Sequence, residues 1–155
     1  VCTGPFSSLE DLDVYLPDFE FAKKRGLKLL CANPDIIVDR GSVREWCAGA
    51  LAKMYTDLGG ESLYFGKPFK PIYDLARRRL EASGVQIKNN RILAIGDGIT
   101  TDILGAEKGG IDSLFITGGL AALETGTKEQ PDQDLLKHYL DQQKLSPAFS
   151  IGFLR

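Results

Sequence analysis

Arg91-Ile92-Leu93-Ala94-Ile95-Gly96-Asp97-Gly98-Ile99-Thr100-Thr101-Asp102 joins a short apolar run to a glycine-flanked carboxylate and then to a second acid five residues on. The run Arg91 to Ile95 reads as a buried strand, and Thr101 to Lys108 as a helix ended by Gly109-Gly110. In an open parallel sheet, ligands sit beyond the carboxyl ends of the strands, where Asp97 falls. Its flanking glycines let a ligand or metal approach the backbone closely. Asp102 stands at the start of the following helix, where the helix dipole favours a carboxylate. Two readings stay open. Asp97 can be a turn former and Asp102 an N-cap, or the pair can bracket one strand-to-helix loop as a hard oxygen site suited to Mg²⁺.

Outward from this stretch the chain alternates. Ser113 to Ile116 reads as a strand, followed by Thr117-Gly118-Gly119 as a plain turn. The polar tail from Thr125 to Pro147 has a helical stretch around Leu135 to Leu140, and Phe149 to Leu154 reads as a last strand. Upstream, Pro71 to Ser83 is a helix with Ile72, Leu75, Ala76 and Leu80 on one face, and Arg77-Arg78-Arg79 as its solvated side. Ser62 to Phe65 is a strand. From Ser42 the spacing of Val43, Trp46, Cys47, Ala50, Leu51, Met54 and Tyr55 predicts an amphipathic helix, capped by Ser42 with Glu45 three residues on and closed by Gly59-Gly60. Leu27 to Ala32 is a short strand, and Asp18 to Lys24 a helix stopped by Arg25-Gly26. Alternating strands and helices with short connections predict an α/β chain with a parallel sheet.

Composition narrows the function classes. The 155 residues are 43% apolar and 26% charged, as in ordinary globular chains. Nineteen Lys and Arg against 21 Asp and Glu are interspersed, which argues against a nucleic-acid surface. The three cysteines, Cys2, Cys31 and Cys47, offer neither a disulfide framework nor a C-x-x-C site, so reduced thiols and a cytoplasmic setting are expected. The apolar runs fall far short of the ~20 residues of a membrane helix.

Tyr64-Phe65-Gly66-Lys67-Pro68 places a lysine between a strand and a helix. It is not a P-loop, because Pro68 stands where Ser or Thr is needed. Lys67 can hold a phosphate as a point charge or sit on the surface as an ordinary lysine.

Gly66-Lys67-Pro68, about thirty residues before Gly96-Asp97-Gly-x-x-x-Asp102, resembles the third and fourth motifs of the haloacid-dehalogenase-like (HAD) phosphohydrolases. Cys31-Ala32-Asn33-Pro34-Asp35 is similar to the segment that follows a cap strand in the subgroup with a large α/β cap, which includes nitrophenylphosphatase-like and pyridoxal-phosphate phosphatase enzymes. The agreement in order and spacing runs from Asp18 to Leu123.

The resemblance implies the fold, the sites and the reaction. Residues 1–61 would be the back part of an α/β cap, and 62–155 the second half of a Rossmann-like parallel-sheet core. Asp97 would ligate Mg²⁺, and Asp102 would support the metal. Lys67 would bridge the phosphate and the nucleophilic aspartate, offsetting repulsion between anions. Asn33 and Asp35 would lie near the substrate entrance, although an Asx turn before Pro34 explains them equally well. The reaction would be hydrolysis of a small phosphorylated metabolite through an aspartyl-phosphate.

That reaction needs an Asp-x-Asp after an apolar strand. Asp11-Leu12-Asp13 and Asp132-Gln133-Asp134 do not follow one, and both read as loop or helix-start acids. On the family order the nucleophile segment belongs upstream of Val1. The expectation is therefore the carboxyl-terminal part of a longer phosphatase, inactive alone. A non-catalytic HAD-like interaction or scaffold domain is the alternative. A receiver-type signalling domain also uses carboxylates, Mg²⁺ and a lysine, but in the reverse order. His138 reads as exposed, Trp46 and Tyr55 as packing, and a homo-oligomer is left open.

Overall fold

The structure is a computed structural model that describes residues 1–7, 10–41 and 43–154. The chain divides into two compact units, Val1–Ile72 and Tyr73–Arg155.

In the first unit, Asp11 starts a short 3₁₀ turn over Leu12–Tyr15, its side chain accepting from the Asp13 N–H at 3.1 Å. Helix α1 follows over Leu16–Lys24, with Pro17 in the first turn, where a missing N–H costs nothing. Gly26, at φ +64, turns the chain out of it. Strands β1 (Lys28–Cys31) and β4 (Glu61–Tyr64) pair in parallel, from Lys28 opposite Glu61 to Cys31 opposite Tyr64. A 2.7 Å ion pair joins Lys28 to Glu61 at the start of that register. Cys2 bridges to Cys31 in parallel, with its N–H on the Leu30 carbonyl at 2.7 Å. Between β1 and β4 come an antiparallel hairpin of β2 (Ile37–Arg40) and β3 (Val43–Trp46), then helix α2 (Ala48–Asp57). Ala48 and Ala52 of α2 close over Cys31, and Tyr55, 1% exposed, donates its hydroxyl to the Leu27 carbonyl at 2.6 Å.

The hairpin corrects one expectation. The helix predicted from Ser42 begins only at Ala48, and Val43–Trp46 is a strand. Ser42 itself lies outside the described residues. Val43 and Trp46 do sit at helical spacing, but Arg40 and Ile37 lie opposite them with Gly41 at φ +66 in the turn. Cross-strand pairing of β-branched and aromatic residues prevails over the local pattern.

Helix α3 (Lys70–Ala82) begins in the first unit and continues into the second. Beyond it lie β5 (Leu93–Gly96), a π-helical turn over Ile99–Ile103, α4 (Leu104–Gly109), β6 (Asp112–Ile116), α5 (Gln133–Gln143) and β7 (Phe149–Ile151). The strands form one all-parallel sheet in the order β5-β6-β7. Ile99, Ile103, Phe115, Ala121, Leu136 and Leu145 make its core. The mixed α/β architecture with parallel strands is the predicted one.

Burial of β5 is not as expected. Leu93 and Ile95 are 44% and 50% exposed, because β5 lies at the end of the sheet with β6 as its strand partner among the described residues. No described helix is long and apolar enough to cross a membrane.

Candidate functional site

The Gly96–Asp102 loop is built around its glycines. A Cβ at Gly96 would land on the Asp102 carboxyl group, and one at Gly98 on the Thr101 hydroxyl. With hydrogen at those positions the chain folds back tightly. The Gly98 carbonyl accepts from the N–H groups of Thr101, Asp102 and Ile103 at 3.2, 2.7 and 3.1 Å. In return the Asp102 carboxylate accepts from the Gly98 N–H at 3.1 Å. The N-cap of this turn is thus Gly98, and Asp102 reaches back from inside the first turn, as the second partner of a capping box does. This corrects the reading of Asp102 as a possible N-cap. Ile99, between the two acids in sequence, and Ile103, just after them, drive the turn into the core, while Asp97 and Asp102 stay half-buried.

Asp97 stands at the carboxyl end of β5 and is met by a loop that sequence reasoning treated as a plain turn. The segment after β6 passes so close that a Cβ at Gly119 would fall on the Asp97 carboxylate. The Leu120 N–H donates to Asp97 Oδ2 at 3.3 Å. β5 and β6 are parallel neighbours, so the loops after them emerge side by side. Thr117-Gly118-Gly119 carried the signal: a glycine pair just beyond a strand end is a place where another group can approach the backbone.

In the first unit, the loops after β1 and β4 also leave the same end of a parallel pair. The Phe65 N–H donates to the Cys31 carbonyl at 3.1 Å, and a Cβ at Gly66 would collide with the Pro34 ring. Structure therefore brings Ala32-Asn33-Pro34-Asp35 against the Gly66-Lys67-Pro68 segment. Asn33 Oδ1 accepts from the Asp35 N–H at 3.3 Å, the Asx turn that was one of its two readings. The Asp35 carbonyl accepts from the Gly49 N–H at 3.0 Å, at the first turn of α2. Lys67 is exposed, and the Tyr64 and Phe69 rings stack at 4.7 Å on either side of it in sequence.

Of the other acids, Asp132 caps α5, its Oδ1 accepting from the Asp134 and Leu135 N–H groups at 3.0 Å each. With Asp11 capping the 3₁₀ turn, the first acid of each Asp-x-Asp pair has a helix-start role, as expected. Arg77 reaches Asn89 Oδ1 at 2.6 Å, so it anchors the loop before β5 while Arg78 and Arg79 face solvent. His138 is exposed and touches Gln142 at 2.8 Å. Trp46 is on a strand and partly exposed, whereas Tyr55 packs as expected.

Burial pushes the Cys31 thiol up to about 11, with the neighbouring Cys2 adding to the effect, and it pushes Cys2 up as well. These thiols are poor nucleophiles at neutral pH. Among the described residues no group of three or more His, Cys, Asp or Glu comes together as a metal cluster. The chemistry of Asp97 and Asp102 nevertheless suits a hard cation. Both are oxygen donors, and the glycines at 96, 98 and 119 are what let their carboxylates lie directly against the backbone of the two loops.

Comparison with known proteins shows what the chain is similar to. The family described as HAD-hydrolase-like matches residues 64–142, just over half of the chain. A haloacid dehalogenase-like hydrolase from Brucella suis is 37% identical over 98% of this chain and 54% of its own, with a TM-score of 0.76. A thermostable NPPase double mutant from Geobacillus stearothermophilus is 26% identical over 81% of this chain and 47% of its own, at 0.57. The p-nitrophenyl phosphatase of Archaeoglobus fulgidus, 18% identical over 96% of this chain and 51% of its own at 0.68, shares the fold. No curated protein matches the chain. The chain spans about half the length of the solved structures it resembles. With the lysine and the two acids of the Gly-Lys-Pro and Gly-Asp-Gly segments inside the matched region, the chain belongs to the haloacid-dehalogenase-like hydrolase family.

Proposed function

We propose that the protein to which this chain belongs hydrolyses phosphomonoesters of small metabolites with Mg²⁺, and that this chain supplies the lysine and metal-binding half. The observation that carries the reading is the setting of Asp97: a carboxylate at the carboxyl end of a parallel strand, received by the Gly119-Leu120 backbone with glycines around it. Asp97 and Asp102 would hold the cation, which supplies charge neutralisation to the anionic reactants.

The remaining chemistry falls to side chains. Lys67 places a positive charge beside the phosphate and lowers the repulsion met by an incoming carboxylate. A nucleophilic aspartate from an Asp-x-Asp segment upstream forms the new bond to phosphorus as the ester oxygen leaves, and the second acid of that segment protonates the leaving group. The same acid then takes a proton from the water that releases phosphate from the aspartyl-phosphate. Asn33 and Asp35 would contact the rest of the substrate. In this reading the back part of the cap lies in residues 1–61 and the second half of the core in 62–155, and the setting is cytoplasmic.

The test is hydrolysis of an aryl phosphate by the chain joined to its upstream coding sequence. Activity that requires Mg²⁺ and falls at least about 10³-fold in Asp97→Asn and in Lys67→Ala is the expected result. A protein that folds, carries an upstream Asp-x-Asp and shows no Mg²⁺-dependent hydrolysis would be a scaffold instead.

A further inference from the structure

Three threonine hydroxyls stand behind the loop that receives Asp97. Thr117 and Thr125 are 0% exposed, and Thr127 is half-buried. Thr127 Oγ1 donates to Thr117 Oγ1 at 2.8 Å, and Thr117 Oγ1 to the Ile151 carbonyl at 3.3 Å. Thr125 Oγ1 lies 2.7 Å from Thr127 Oγ1 and 2.7 Å from the Ala121 carbonyl. Three hydroxyl protons serve these four contacts, so one of them is shared, and either Thr125 or Thr127 donates in the contact between the two. The hydroxyls form a connected chain, Thr125 to Thr127 to Thr117, that ends on the Ile151 carbonyl at the edge of β7.

The relay ties together both ends of the 117–127 segment. At one end Thr117 and Gly118 continue the β6–β7 ladder, donating to the Ile151 and Gly152 carbonyls at 2.9 and 2.8 Å. At the other end the Thr127 N–H donates to the Ala122 carbonyl at 2.8 Å, and the Thr125 N–H to Ala121 at 3.0 Å. Between these ends Ala121 is pressed into the core that also holds Ile99 and Ile103. Leu120, with an exposed side chain, is the residue before Ala121 and lies between these held positions. Its N–H donates to Asp97 Oδ2 at 3.3 Å from the arch whose two ends the hydroxyls join.

We infer that Thr117, Thr125 and Thr127 are positioning residues for Asp97, acting through the Leu120 N–H. The consequence for catalysis rests on the phosphatase reading above; the positioning itself does not. Valine keeps the shape of threonine and removes the hydroxyl, whereas serine keeps the hydroxyl.

Amide hydrogen exchange of the full chain, followed residue by residue without Mg²⁺ or substrate, tests it. In Thr127→Val the Leu120 amide is expected to exchange about tenfold faster while the β6 amides keep their rates, and Thr127→Ser is expected to restore it. In the Asp97→Ala background, where the acceptor is gone, Thr127→Val is expected to leave Leu120 exchange unchanged. Thr125→Val, which removes the hydroxyl that meets both Thr127 and the Ala121 carbonyl, gives the same readout should Thr127→Val not fold. Unchanged Leu120 exchange in the folded variants overturns the inference. So does an acceleration shared by Leu120 and the β6 amides, which marks loss of stability alone. Because no step of this measurement needs turnover, an inactive phosphatase and a failed relay are separate results.

Discussion

A methyl group at Gly96 would occupy the space of the Asp102 carboxyl, whereas one at Gly109 meets nothing nearer than Ile111 at 3.9 Å. The two glycines, thirteen residues apart in sequence, should respond oppositely to alanine. Gly96→Ala is expected to lose about 1–3 kcal/mol in urea unfolding, since the Asp102 side chain must leave its bond to the Gly98 N–H. Gly109→Ala, at the end of α4 with ordinary backbone angles, is expected to be neutral or stabilising by up to about 1 kcal/mol. Equal losses at both sites would show that the Gly96 cradle is not specific. Cys31 supplies a pH dependence at the same scale. Its folded thiol is raised from 9.0 to about 11 by burial. Above pH 9 the unfolded chain releases this proton and the folded chain retains it, so the stabilisation present below pH 9 is lost as pH rises toward 11. Urea midpoints measured across that window should fall, and Cys31→Ala should flatten the decline.

Among the elements, the β2–β3 hairpin depends on Gly41, whose φ of +66 an L residue adopts at a cost of roughly 1–2 kcal/mol. Gly41→Val is therefore expected to lower the unfolding midpoint, while Asp132→Ala should cost α5 about 1 kcal/mol through the two N–H groups it leaves uncapped. These two elements also show why some of the fold was legible and some was not. Asp132 and the helix it starts are local: a capping acid followed by apolar residues at helical spacing is written within a few positions. The hairpin is not local in that sense. Val43 and Trp46 fit a helix as well as a strand until Arg40 and Ile37 lie opposite them, and that register comes from pairing across the turn. The site divides along the same line. Asp97 at a strand end and Lys67 before a helix were visible from neighbouring residues. The Leu120 N–H was not, because a contact between residues 97 and 120 exists only once β5 and β6 are paired. The Asp102 capping bond is local, yet of the two sequence readings of Asp102 the N-cap is corrected, since the N-cap is Gly98 and Asp102 reaches back to it from inside the first turn of a π-helical segment.

Over the whole molecule the apolar surface argues for a partner segment. β5 exposes Leu93 and Ile95, and among the described residues its outer edge has no strand partner, an edge of the kind proteins ordinarily blunt with charge or cover. The solved relatives of the family are about twice as long as the aligned chain. If the upstream residues carry the nucleophile on a strand that pairs with β5, then supplying them as a separate polypeptide should restore Mg²⁺-dependent aryl phosphate hydrolysis in trans. Ile95→Lys separates the two consequences of that edge. A charge there should make the isolated chain less prone to self-association, read by sedimentation, because one apolar face of the strand is removed. The same change should abolish complementation, because the lysine would be buried under the incoming segment without a partner. Complementation that survives Ile95→Lys would mean that the upstream segment docks elsewhere, and the exposed β5 face would then have to be explained by contacts that do not involve catalysis.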